Sequence, residues 1–247
     1  MPDEAPRRLD QWLVARGLCG SRAQAQAAIK AGRVALDGRV ARKPNESVPA
    51  GANVEIAGAA DGYASRGAEK LAAALDHYGV DPDGLICLDL GASTGGFTDL
   101  LLRRGAARIY AVDVGRGQLI ERLAGDPRVV NLEGVHGRDL TAALAPGPID
   151  LLTIDVSFIS LAKAAPAAMT LVKPGGRLIA LVKPQFELGR ERIGKGGKAL
   201  GDLEDAPRQV RAWLEATPGW RPRSWMDSPI LGGAGAQEFL IAADRLA

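Results

Sequence analysis

One stretch restricts the fold more than any other: LICLDLGASTGGFTDLLL, residues 85–102. Its first six residues, apolar except for Asp89, are too few for an ordinary helix but suited to a strand buried on both faces. A glycine turn, Gly91 to Gly96, then opens an amphipathic helix through Leu102. Strand, glycine turn and helix in that order form the first unit of a nucleotide-binding α/β fold. The punctuation repeats downstream. Ile109–Val112 ends at Asp113, Val129-Val130 marks a third strand, and Leu151–Ile154 ends at Asp155. Ala162–Leu171 reads as a helix, followed by Pro174-Gly175-Gly176 and a strand over Arg177–Val182. Leu203–Glu215 predicts another helix, and Arg221–Met226 and Glu238–Ala242 the final strands. Strands and helices alternating over about 160 residues predict an α/β domain with a mostly parallel, doubly wound sheet.

A different pattern precedes it. Leu9, Trp12 and Leu13 stripe a short helix ending near Gly17, and Ser21 with Gln24 caps a second that stops at Gly32. Val34-x-Leu36, Asp37-Gly38 and Val40 predict a hairpin, Asn45–Gly51 a loop, and Val54-x-Ile56 a strand. Residues 1–59 thus form a small α+β domain, 60–64 a linker within a glycine-rich run of small residues, and 65–247 the α/β domain.

Charge separates the two parts. The chain carries +2 overall, yet residues 5–57 hold nine basic and four acidic side chains. A basic module on a near-neutral body implies a polyanionic partner, against the plain alternative of a solvated face. Two cysteines, Cys19 and Cys87, and two histidines, His77 and His136, exclude a disulfide framework and a zinc site, so no metal is expected. No apolar run is long enough to cross a bilayer, and the charged beginning lacks a signal-peptide core; a cytoplasmic protein with no membrane partner is expected. Oligomeric state is not legible.

The glycine turn reads Asp89-x-Gly91-x-Ser93-Thr94-Gly95-Gly96-Phe97, which departs from the GxGxxG of dinucleotide enzymes. Asp113 ends the second strand, where a ribose-binding carboxylate belongs. S-adenosylmethionine has no pyrophosphate and fits that departure. The turn approaches its amino-acid tail and Asp113 takes its ribose hydroxyls. Asp139 either faces the adenine amine or caps a helix before Leu140.

The segment RLDQWLVARGLCGSRAQAQAAIKAGRVALDGRV resembles the S4 RNA-binding domain over roughly residues 5–57. The motifs DLGASTGGFTD, VDVGRGQL, DVSFISL and LVKPQFELG are similar to those of the TlyA family, RNA ribose 2′-O-methyltransferases related to the FtsJ class. That resemblance covers nearly the whole chain. It implies a Rossmann-like methyltransferase domain with an antiparallel last strand, S-adenosylmethionine as cofactor, and a cytidine 2′-hydroxyl of ribosomal RNA as acceptor. It also implies RNA contacts through Arg7, Arg8, Arg22, Lys30, Arg33 and Arg66, and a tetrad formed by Lys70, Asp155, Lys183 and Glu238. Asp155 then also borders the cofactor. The chemistry suits those residue types. A 2′-hydroxyl is a poor nucleophile whose proton must be taken or oriented, and a lysine serves as base only when its pKa falls from about 10.4. The expected roles are Lys183 as proton acceptor, Lys70 as neighbouring cation, and the two acids as holders. Lys195 and Lys198 either close over RNA or belong to a solvated loop. Ala64, Ala68 and His136 stand where relatives carry valine, glycine and asparagine, which bears on interdomain coupling and the adenine side. Two other functions stay open: a non-catalytic ribosome assembly factor, and the membrane lysis that the family's haemolysin name implies.

Overall fold

The computed structural model describes residues 7–16, 18–19, 22–30, 32–49, 51–56, 62–194, 199–232 and 235–247. Gly17, the Ser21 cap, linker residues 57–61, Lys195 and Lys198 lie outside them.

The N-terminal part runs β1 (Arg7–Arg8), α1 (Leu9–Ala15), α2 (Arg22–Lys30), β2 (Val34–Leu36), β3 (Arg39–Val40), β4 (Ser47–Val48) and β5 (Val54–Ile56). Leu9 and Leu13, one helical turn apart, meet Ala25, Ala28 and Ile29 of α2 over Val34 and Leu36. Each fully buried leucine or isoleucine contributes about 1.5–3 kcal/mol, so this core is small. Asp37 and Gly38 both have positive φ, as a two-residue hairpin turn requires. The strand β2 pairs antiparallel with both β3 and β5. The 45–51 segment, expected as loop, carries β4 paired with β1. Two residues are too short to leave a periodic signal.

Asp10 is buried in this domain. Arg8 donates to both of its oxygens, at 3.1 and 3.2 Å, and Arg22 Nη2 and Gln26 Nε2 donate at 3.2 and 2.9 Å. Burial pushes the carboxyl up, but these hydrogen bonds outweigh it and hold its pKa at about 2. A folded pKa below the unfolded value gives stability that is present above about pH 4 and lost as pH falls toward 2. Asp10→Asn is therefore expected to cost about 1–3 kcal/mol at pH 7, with the gap to wild type closing near pH 2. Thermal unfolding across that range checks it; a gap independent of pH would assign the loss to packing alone.

The second part runs α3 (Gly67–Tyr78), β6 (Ile86–Leu90), α4 (Gly96–Arg103), β7 (Arg108–Asp113), α5 (Glu121–Ala124), β8 (Val129–Glu133), β9 (Ile149–Ile154), α6 (Leu161–Ala164), α7 (Pro166–Thr170), β10 (Val172–Val182), α8 (Pro184–Glu187), α9 (Asp205–Ala216), β11 (Trp220–Asp227) and β12 (Phe239–Arg245). Seven strands form one sheet in the order β11-β12-β10-β9-β6-β7-β8. The five strands from β10 to β8 are parallel, while β12 is antiparallel to both β10 and β11. Both faces are covered. Cys87 packs with Leu71, Leu75 and Leu100 on one side, and its neighbour Leu88 packs with Leu152 and Met169 on the other. That is the period-two alternation behind the continuous apolar runs.

Two elements differ from expectation. The helix over Ala162–Leu171 is broken into α6 and α7, because Pro166 has no N–H to continue the first and starts the second instead. The strand β10 begins at Val172 and passes through Pro174–Gly176 with a register shift before Arg177. Chain order reverses between β6 and β9, which opens a crevice at the strands' C-terminal ends.

Candidate active site

The crevice is built around Gly91. Leu90 O accepts from Asp155 N at 2.9 Å, so the end of β9 lies against the glycine turn. At Gly91 φ is +91°, and a Cβ there would come within 2.4 Å of the Asp155 carbonyl oxygen. Only glycine allows that approach. Beyond the turn, α4 begins at Gly96, against which Ser65 packs from the segment leading into α3.

Four charged residues converge on this end of the sheet as two ion pairs. Lys70 of α3 donates from Nζ to Glu238 Oε2 at 2.5 Å across 168 positions of sequence, with both residues buried. Lys183, just past β10, places Nζ 2.5 Å from Asp155 Oδ1 and donates to Ser157 Oγ at 2.8 Å. The Lys183–Asp155 contact is an ion pair by distance only. Asp155 Oδ1 is buried and, apart from the Lys183 ammonium, receives no hydrogen bond of good geometry. Val182 pairs with Phe239, so Lys183 and Glu238 flank one register position where the antiparallel strand meets its neighbour.

The remaining sequence-predicted residues fall in distinct places. Lys70, Gly91, Ser93, Thr94, Gly96, Phe97 and Asp155 line one cleft, together with Arg33 and Arg66. Gly95 turns away toward Leu119 and Leu123. Asp113 accepts from Ser93 N at 2.8 Å and Gly115 N at 2.7 Å, and so holds the turn's rim. Asp139 is exposed beside Arg138 and is not among the cleft-lining residues; its 3₁₀ turn receives no side-chain cap from it. Arg7, Arg8, Arg22 and Lys30 are exposed on the N-terminal domain, with Arg8 and Arg22 also bonded to Asp10.

Asp89 lies fully buried beneath the turn, accepting from Thr98 Oγ1 at 2.7 Å and Thr153 Oγ1 at 3.2 Å. Burial, against the two threonine bonds and aided by the charge of Asp155, pushes its pKa up to about 7. A carboxyl whose folded pKa is raised loses stability as pH climbs from about 4 through 7. Asp89→Asn is therefore expected to gain thermal stability relative to wild type between pH 5 and pH 8. A melting-temperature difference flat with pH would contradict an acid governed by burial.

Sequence reasoning missed three features. Ile230, Leu231 and Gly232 form a cleft wall with no motif to mark them, and a Cβ on Gly232 would strike Glu238. Phe158 stands three residues past Asp155 with φ +66° and 91% of its surface exposed, its ring 5.1 Å from that of Phe186. Its only signal was the DVSFISL motif. Arg33 lines the cleft although it belongs to the N-terminal domain.

The cleft's chemistry fits S-adenosylmethionine. Backbone N–H groups at the start of α4 suit a carboxylate, the Asp155 carboxylate suits a donor, and Phe97, Ile230 and Leu231 supply apolar wall. No group of histidine, cysteine, aspartate and glutamate capable of holding a metal occurs among the described residues, and no described helix is long and apolar enough to cross a membrane.

Comparison with known proteins gives concordant matches. Residues 63–245 match the FtsJ-like methyltransferase family, and residues 7–54 match the S4 domain. The chain is 42% identical over 237 residues to the 16S/23S rRNA (cytidine-2'-O)-methyltransferase TlyA of Mycobacterium tuberculosis, covering 95% of this chain and 88% of that one. It is 38% identical to Hemolysin A of Brachyspira hyodysenteriae, covering 94% and 98%. The solved structure of a Streptococcus thermophilus protein described as a hemolysin superposes with a TM-score of 0.75 at 37% identity, covering 98% of this chain and 89% of that one.

Proposed function

The chain belongs to the TlyA family of FtsJ-like methyltransferases, and from that premise we propose that it methylates a ribose 2′-hydroxyl of ribosomal RNA, with cytidine as the nucleotide and S-adenosylmethionine as the donor. It is a methyltransferase carrying an S4 domain. Its partners are then ribosomal subunits, which places its work in the cytoplasm.

The observation that carries the reading is the pair of lysine–carboxylate contacts beside the glycine turn. When bound, S-adenosylmethionine supplies an electrophilic methyl carbon on a sulfonium. The chain's own residues then have the hydroxyl to manage. Lys183 Nζ, 2.5 Å from Asp155 Oδ1, orients the 2′-hydroxyl and takes up its proton as its own ammonium proton passes to the Asp155 carboxylate, where the proton finally rests. Lys70, fixed by Glu238, adds positive charge where the attacking oxygen becomes more negative. Asp113 and the turn residues hold the donor, with Asp89 bracing the turn from below. The exposed Arg7, Arg8, Arg22 and Lys30 serve RNA phosphates, and Arg66 does so at the cleft. Phe158 offers an open ring on which an unstacked base can lie.

Methyl transfer from labelled S-adenosylmethionine to purified ribosomal subunits tests this. Label is expected in a nucleotide whose 3′ bond resists alkaline cleavage, the signature of a blocked 2′-oxygen. Cofactor binding without label in either subunit would move the protein to the assembly-factor reading.

A further inference from the structure

The N-terminal domain puts a side chain into the catalytic cleft. Arg33 follows the stop of α2 and lines the same cavity as Lys70 and Asp155. Its Nη1 donates to the Ala64 carbonyl at 3.0 Å, which fixes the guanidinium at the junction with the catalytic domain. Its Nε is buried and meets no acceptor. No carboxylate pairs with it among the described residues. Burial pulls Arg33 below the usual arginine range, opposed by the nearby Cys19 and reinforced by the Arg66 guanidinium, as befits a cation with no described carboxylate partner.

We propose that Arg33 binds the phosphodiester of the nucleotide being methylated, making it a positioning residue that the S4 domain contributes to the active site. This rests on the ribose reading above. A ribose 2′-hydroxyl sits on the carbon adjacent to the one bearing the 3′-phosphodiester. An RNA strand that presents its 2′-oxygen to Asp155 therefore brings a phosphate into the same cleft. A guanidinium holds phosphate through parallel hydrogen bonds that fix orientation as well as distance. Fixing the phosphate fixes the sugar, and in-line attack depends on that. The cofactor's carboxylate is the other oxyanion this cleft admits. The RNA phosphate is preferred because Arg33 follows a helix whose Arg22 and Lys30 are exposed on the RNA-binding domain.

The test uses the full chain with the ribosomal subunit that wild type methylates, comparing Arg33→Gln and Arg33→Lys. Arg33→Gln is expected to lower kcat about 30-fold, with KM for the subunit within about threefold and calorimetric affinity for S-adenosylmethionine unchanged. Arg33→Lys restores part of the rate, since charge remains but the fork is lost. An unchanged kcat would reduce Arg33 to domain packing and overturn the proposal. A drop in cofactor affinity without RNA, equal to the drop in rate, would hand the oxyanion to the cofactor and overturn it as well. Should Arg33→Gln fail to fold, Arg33→Lys decides: a fall of about tenfold with cofactor binding intact supports the phosphate contact, and wild-type kcat refutes it. Label found on a base in wild type would sink the ribose reading by itself, while the kcat and KM of the variants still score Arg33.

Discussion

Lys183→Met is expected to slow methyl transfer by about 10³-fold while S-adenosylmethionine binds within about a factor of three of wild type. The side chain lies against Asp155 and Ser157 at the end of β10, and it is not among the residues that line the cofactor cleft. Its loss should therefore spare the ground state and fall on the step in which the hydroxyl gives up its proton. Asp155→Asn keeps the shape but removes the charge beside Nζ, and a rate loss of similar size is expected. Single-turnover transfer to ribosomal subunits, with calorimetry for the cofactor, separates the two effects. If both variants lose less than about tenfold, this pair is not where the proton goes. Membrane lysis, the activity implied by the hemolysin name of one relative, requires none of these residues. Leakage of liposomes by purified protein, undiminished in Lys183→Met, would reopen it.

Gly91→Ala is expected to be the most damaging single methyl group among the described glycines. A left-handed φ costs a residue with a side chain about 1–2 kcal/mol. At Gly91 the new Cβ also meets the carbonyl oxygen and carbon of Asp155, at 2.4 and 2.8 Å, and that backbone, tied to the end of β6 by the Asp155 N–H bond to Leu90 O, cannot swing aside. The total is expected to exceed about 4 kcal/mol, with cofactor binding lost as the turn is levered away from β9. Gly175→Ala is the matched control. It too has positive φ, at +78°, but open space where the Cβ would go. Denaturant unfolding should show the control losing about 1 kcal/mol. Equal losses at the two positions would mean that backbone conformation, and not the contact with Asp155, explains both.

The sheet was legible because β6, β7 and β9 are short, largely apolar runs closed by glycine or aspartate, a pattern that burial on both faces imposes. Local chemistry marked the hairpin at Asp37-Gly38 in the same way. What escaped depends on distance through space. No period in the sequence relates Lys70 to Glu238, and the tetrad was assigned through family resemblance rather than spacing. Arg33 looked like one more cation on a basic helix end, because charge counting says nothing about which way a side chain faces. Whether Asp139 caps a turn was likewise not legible: it sits exposed on a short 3₁₀ turn that it does not cap. Pro166 was visible, but an uninterrupted apolar stripe on either side of it masked the break.

Glu238 stands at the head of β12, the last strand of the sheet and the one inserted between β10 and β11. A ribosome making this protein therefore delivers the S4 domain and Lys70 well before the buried partner of Lys70, which follows 168 positions later. Until that strand emerges from the exit tunnel, β10 is an open edge and Lys70 has no counterion. The order of synthesis thus keeps the four charged residues of the cleft from assembling until that strand has joined the sheet.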